Sequence, residues 1–590
     1  MDITGVLQHL EGAQLIRLGD ESDRTGTFRH VLIQESAYDS LLRPERRRLH
    51  QEVGETLEQS FAGRLDDISD VLAKHFDEGG EAPKALHLYA RAGDLASRRS
   101  ANNEAAMLYG RALELAWATE ADDDAVADLG SKKGRALELA GRYAEALAAY
   151  DEMIETGARR ETWKVELTAL IASASIRTVP TEVFDPAHAA ELAERALHLA
   201  RTHGDQAGES KALWTLMMFY ANTDPARSVE LGEASLHLAR SLGLEEQVAF
   251  TLNDISSSYL TAGRMNEAHQ ALEEARGYWT SLDNLPMLAD NLISMSTLEV
   301  IAGRLEEGIR WAQEGLALAE RTENLWGQAY ARMSLSLVFF LRGEMGPALT
   351  CLRECLRLAE PAGFLDPQIT MRSLYGACLG ILGDIPAGLA EIARARELAG
   401  NEMRRWIGHV LASHAWLLTM SGDASGAQAL LDELRALAGS EGQVIAETSF
   451  IGAFVSLDCA LLQGDADRAL SLTDEYEAML SRFQMQGYQA SIEGYRGLAH
   501  LARGDLKASE QHLKLALDVM EREGFGFSRW RVVAALGEVS SQNGLTSQAL
   551  EYHREAARLL ETMARAVPDE RLRDLFRQRA DVARILKSAA

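Results

Sequence analysis

The chain has 590 residues, 47% hydrophobic and 25% charged, a composition that excludes both a disordered polymer and a membrane-embedded one. A net charge of −28 argues against general affinity for nucleic acid or an anionic membrane, since both need a basic face. Four cysteines make no disulfide framework, no apolar run reaches the roughly 18 residues of a membrane span, and Met1 to Leu10 lacks the pattern of a signal peptide; a cytoplasmic protein is expected. Abundant alanine, leucine, glutamate and arginine all favour helix.

Taken in chain order, residues 1–60 predict a short helix, two strands around a polar wing from Gly19 to Gly26, and two further helices. Phe28-Arg29-His30-Val31-Leu32-Ile33-Gln34-Glu35 is followed by Ala37-Tyr38, Ser40-Leu41-Leu42, Arg46-Arg47-Arg48 and Leu49-His50. This run resembles the end of the winged-helix segment in STAND-type (AAA-like) ATPases, where that segment joins a tetratricopeptide array. Large LuxR-type transcription regulators and class III adenylate/guanylate cyclases carry such modules. The likeness continues through Tyr89-Ala90-Arg91-Ala92-Gly93-Asp94, Glu104-Ala105 and Arg111-Ala112-Leu113. It implies that residues 1–60 are a winged-helix-like remnant of an ATPase module. The phosphate-binding Gly-x-x-x-x-Gly-Lys-Ser/Thr run is missing, and Gly130-Ser131-Lys132-Lys133-Gly134 has the wrong spacing and falls in a helical stretch.

From residue 61 to 566 the chain repeats. A glycine before a short polar turn recurs at Gly263, Gly303, Gly343, Gly383, Gly422, Gly464, Gly504 and Gly544, nearly always 40 residues apart. About 16 residues of helical pattern flank each turn, or about 24 Å of helix on either side. The unit is a helical hairpin, and about twelve of them are expected. Small residues stand five after each glycine, from Ala268 and Gly308 through Ala348 to Ala549, and again mostly at seven before and twelve after. Small side chains at such positions let helix axes approach closely. The pattern resembles the tetratricopeptide repeat, although that family's period is about 34. A HEAT-like or other 40-residue solenoid stays open as the alternative. The expected fold is therefore all-α: a tetratricopeptide-like helical-hairpin solenoid with a small N-terminal winged-helix-like piece. Residues 567–590 break the period and predict an arginine-rich capping helix.

Catalytic and metal chemistry find no support in the residues. Cys355, Cys378 and Cys459 fall in slots that other repeats fill with small or apolar residues, and Cys351 pairs with no Cys-x-x-Cys partner. His409 and His414 lie five apart, on different sides of a helix, while His500 and His512 fall on adjacent helices. The basic cluster from Arg43 to Arg48 reads as a solvated helix face or a contact to a neighbouring ATPase domain. Asp122-Asp123-Asp124 lacks the spaced ligands of a calcium loop. No enzyme activity, cofactor or metal is expected.

Function then falls to the concave face. In the tetratricopeptide register that face is lined at 13, 10 and 6 residues before each turn glycine, which singles out Phe250, Asn253, Tyr330, Met333, His409, Trp416 and Asp458. This apolar, aromatic lining suits a protein or peptide segment, or a small neutral ligand, and neither nucleic acid nor membrane. The expectation is a non-catalytic binding module of a signalling or transcription regulator. The resemblance supplies an alternative: the sensor portion of a nucleotide-dependent LuxR-type regulator or cyclase whose ATPase domain lies outside this chain. The sequence leaves the oligomeric state open.

Overall fold

A computed structural model describes residues 3–19, 26–99, 101–221, 223–400, 404–437, 446–485 and 488–589. The centre of the expected wing, residues 20–25, and the turn position Ser100 lie outside the described residues. The chain divides into two units, Met1–Ala172 and Ser173–Ala590.

The first unit opens with a helix, Ile3–Gly12, and an antiparallel pair of strands, Ile16–Leu18 and Gly26–Phe28, with Ile16 opposite Phe28. Helices Val31–Asp39 and Arg43–Ser60 follow. The arginines of the latter are partly neutralised on the surface, with Arg48 on Glu52 at 2.6 Å and Arg46 on Asp39 at 3.5 Å. Helical hairpins then begin: Ala82–Arg98 packs on Asn102–Ala118, and Asp123–Leu139 on Tyr143–Arg160. Asp122 caps its helix by accepting from the Ala125 amide at 2.8 Å. Gly134 lies under the Tyr150 ring, where a side chain would collide, and the Tyr150 hydroxyl donates to Glu138 at 2.6 Å.

The second unit is a run of such hairpins. Their first helices include Glu245–Thr261, Leu285–Ala302, Leu325–Leu341, Leu365–Ile381, Arg404–Ser421 and Gln489–Arg503. Each packs on the helix after it and on its neighbours in the stack. The fold is an all-α, tetratricopeptide-like helical-hairpin solenoid, and the N-terminal strand pair is its minor β element.

The repeat has a local cause. Every turn glycine from Gly263 to Gly544 holds φ between 73° and 91°, the left-handed region that glycine enters without a Cβ clash. At the first of these turns the Gly263 amide donates to the Leu260 carbonyl at 2.9 Å and the Arg264 amide to Tyr259 at 2.7 Å, closing the helix end. The small slots twelve residues apart face each other across the hairpin. Ser296 Oγ donates to the Gly308 carbonyl at 2.7 Å, Ser509 Oγ to Gly497 at 2.8 Å, and Gly376 meets Gly388 backbone to backbone. Ala268, Ala348, Ala427 and Ala469 are fully buried in the same slot.

A second series of left-handed residues ends the other helix of the hairpins: Gly204, Gly243, Asp283, Glu323, Gly363, Gln484 and Gly524. Three are not glycine, so composition alone conceals the series.

Successive hairpins of the second unit coil until later turns touch earlier ones. The Leu365 amide donates to the Pro180 carbonyl at 3.0 Å, and the Gly526 amide to Leu341, also at 3.0 Å. Gly346 abuts the Ala566 carbonyl, and Gly263 faces the Arg482 carbonyl. Where one capping helix is expected, two short helices stand, Glu570–Gln578 and Ala580–Ser588, separated at Arg579, whose ψ of 135° is not helical. Their arginines do not form a free polar face. Arg571 reaches Asp384, and Arg579 donates to the Ile381 carbonyl.

Candidate binding lumen

The coil of the second unit curves around a partly open cavity of about 500 Å³, walled mainly by the first helices of its hairpins. The 40-residue period brings the same slot of successive hairpins side by side. A first helix is apolar on nearly every side because it packs within its hairpin, against the neighbouring hairpins and towards the lumen. The Leu325–Leu341 helix, for instance, buries Ala329, Leu335 and Val338, while Trp326, Tyr330, Met333, Phe340 and Leu341 border the cavity.

Of the seven residues singled out by the register, Asn253, Tyr330, Met333, His409 and Trp416 border the cavity. Trp416 is only 6% exposed and packs edge-on to Phe340 and Phe527, with ring centroids 6.0 and 5.7 Å away. Phe250 packs among Trp214 and Trp279, at 6.1 and 4.9 Å, and is not among the residues bordering the cavity. Asp458 is bound to Arg531 at 2.7 Å and likewise does not border it.

Polar groups link one hairpin to the next around the wall. Trp214 Nε1 donates to Asp254 Oδ2 at 2.8 Å. Asn253 Nδ2 donates to Asp290 Oδ2 at 3.0 Å, and Asn291 Nδ2 returns to Asn253 Oδ1 at 3.0 Å. Asp366 accepts from Tyr330 Oη at 3.1 Å and from Trp406 Nε1 at 2.6 Å. Burial, and secondarily the charge of Asp290, pushes the Asp254 carboxyl up to about 7; burial pushes Asp290 up to about 6. Tyr330 is likewise driven well above its ordinary value, by burial and then by Asp366.

Asp254, Asp290, Asp366, Trp326 and Trp406 escaped the register reading, although a signal for them exists. Trp214 and Asp254 stand 40 residues apart, as do Asp366 and Trp406. A donor and an acceptor in the same slot of successive repeats meet in space.

The cysteines take no part in the lumen. Cys355 Sγ lies 3.2 Å from the Ala329 carbonyl, and burial raises its thiol to about 12. His500 and His512 stack at 5.3 Å beside Glu493, which His512 Nδ1 meets at 2.7 Å. Among the described residues no helix is long and apolar enough to cross a membrane.

No protein-family model matches the chain. An uncharacterized protein of Rhizobium meliloti (strain 1021) is 35% identical over 102 residues, which is 17% of this chain and only 10% of that protein. Among solved structures, the Rap protein complexed with competence and sporulation factor is similar with a TM-score of 0.45 at 11% identity. That match covers 62% of this chain and 99% of the Rap chain. The anaphase-promoting complex hetero-tetramer Cut9-Hcn1 gives a TM-score of 0.35 at 13% identity, covering 84% of this chain and 96% of that one.

Proposed function

We propose that the chain is a non-catalytic binding module of a signalling or transcription regulator, and that its ligand, a peptide segment or small molecule, occupies the lumen of the second unit. The observation that carries the reading is the wall of the lumen itself. It is an apolar, aromatic cavity of about 500 Å³ with a few polar groups along its wall, the usual make-up of a ligand site. The test is a displayed peptide library, with a small-molecule screen beside it, selected on the full chain and counter-tested on Ser294→Trp. Ser294 borders the cavity and is half-buried, so the indole fills space without replacing a core residue. Binders lost on Ser294→Trp support the reading. Binders retained equally by both proteins place recognition elsewhere and refute it.

A second reading has its own observation. The Val31–Asp39 helix buries no residue, and Val31, Leu32 and Leu42 are 63%, 70% and 75% exposed. Apolar side chains left in water beside the STAND-like junction support docking of residues 1–60 on an ATPase domain. The chain would then be the sensor arm of a nucleotide-dependent regulator or cyclase. An open reading frame encoding a Walker motif next to the Met1 codon would support this reading, and its absence would refute it.

A further inference from the structure

The lumen carries an unbalanced charge. Asp254, Asp290 and Asp366 border it, and among the described residues no lysine or arginine does. Each carboxylate is held by neutral donors, from Trp214, Asn253, Tyr330 and Trp406. Neutral donors orient a carboxylate but leave its charge uncompensated, which is costly beside a largely apolar wall. The three do not gather into a metal-binding group, and none is found among the described residues.

One observation independent of the carboxylates points into the same space. Ser413 borders the lumen fully buried, and its hydroxyl has no partner among the described residues. That oxygen is free to accept from an N–H donor of a ligand. The aromatic wall offers a complementary face, for Trp326 and Tyr330 stack at 4.3 Å with 25° between their planes. Such a face attracts an organic cation.

We propose that the lumen selects a ligand bearing an organic cation, a protonated amine or guanidinium, on an apolar body. Asp254, Asp290 and Asp366 are the counter-charges, and Trp326 with Tyr330 forms the face on which the cation rests. This rests on the reading of the lumen as the binding site and adds the class of ligand. A bare divalent ion fits poorly, because the carboxylates are spread along the wall rather than converging. A cation carried on an apolar body meets both the acids and the aromatic surface. Carboxyls that burial holds partly protonated near neutral pH release a proton to solvent when such a cation binds, so its binding strengthens as pH rises from about 5 to 8. The other titratable groups bordering the lumen are Tyr330, His409, Tyr488 and Tyr495.

The experiment compares matched probes by calorimetry on the full chain. Octylamine, octanol and octanoate represent a free amine; acetyl-Phe-Leu-Arg-Phe-Leu-amide and its citrulline counterpart represent a basic peptide side chain. The amine or the arginine peptide should bind at least about tenfold tighter than its neutral counterpart. That preference should vanish in Asp254→Asn/Asp290→Asn while binding of the neutral probe persists. Which pair shows the preference tells a small amine from a peptide. Neutral and cationic probes that bind equally, both lost on Ser294→Trp, overturn the charge selection and leave the binding lumen standing. Failure of every probe to bind overturns both. Should the double variant not fold, proton release on the wild-type protein decides. Titration at pH 6.5 in two buffers of different ionisation enthalpy should show protons released by the cationic probe and none by the neutral one, and equal release refutes the proposal.

Discussion

The Gly526 amide donates to the Leu341 carbonyl at 3.0 Å, joining a turn between two late hairpins to the end of a helix far earlier in the chain. The Phe527 amide shares the same carbonyl at 3.1 Å, and its ring lies 4.5 Å from Phe340. This seam turns a stack of hairpins into a coil with an inside.

A side chain at position 526 is therefore expected to open the seam. A Cβ there would overlap the Arg342 carbonyl oxygen, a backbone atom that cannot swing aside. Gly526→Ala should cost roughly 1–3 kcal/mol and enlarge the radius of gyration in solution scattering while circular dichroism is unchanged. An identical scattering profile would show that the seam does not set the coil.

Ala348 is fully buried in the slot facing Ser336 across its hairpin. Ala348→Leu should overpack that crossing and cost roughly 1–3 kcal/mol. A thermal midpoint equal to that of the parent protein would contradict the register.

The left-handed turns give a pair of opposite expectations. Glu323 holds φ 53° where the parallel turns at Gly243 and Gly363 have glycine, so Glu323→Gly should stabilise by about 0.5–1 kcal/mol. Gly303 holds φ 86°, so Gly303→Ala should cost about 1 kcal/mol. Urea midpoints shifting in the same direction for both would refute this account of the turns.

Asp254 and Asp290 tie stability to pH. Their carboxyls keep a proton in the folded protein up to about 7 and about 6, whereas the unfolded chain releases it near pH 4. The folded state thus binds more protons between those limits, and stability falls as pH rises through them. Asp254→Asn should flatten the decline between pH 5 and 8 and be more stable than the parent at pH 8. Asp290 remains in the variant and keeps its own smaller part of the decline. Equal slopes in urea melts across that range would sink the assignment.

The sequence by itself determined the hairpin and its period, because both are local. A glycine that enters the left-handed region ends a helix wherever it stands, and opposed small residues twelve apart set the crossing within a single hairpin. The order of short helix, strand pair and two helices over residues 1–60 was also written in nearby residues. The register further brought Asn253, Tyr330, Met333, His409 and Trp416 to the lumen wall, since slot and face are linked by helix geometry. What the tertiary structure decided is everything that depends on adding up small rotations between hairpins. No local pattern specifies that Gly526 meets Leu341, that Arg571 reaches Asp384, or that Phe250 and Asp458 are taken up by Trp279 and Arg531. The carboxylates show the boundary most clearly. Asp254, Asp290 and Asp366 are ordinary acids in an acidic sequence, and they came to share one largely apolar wall only when the coil brought successive hairpins around the lumen.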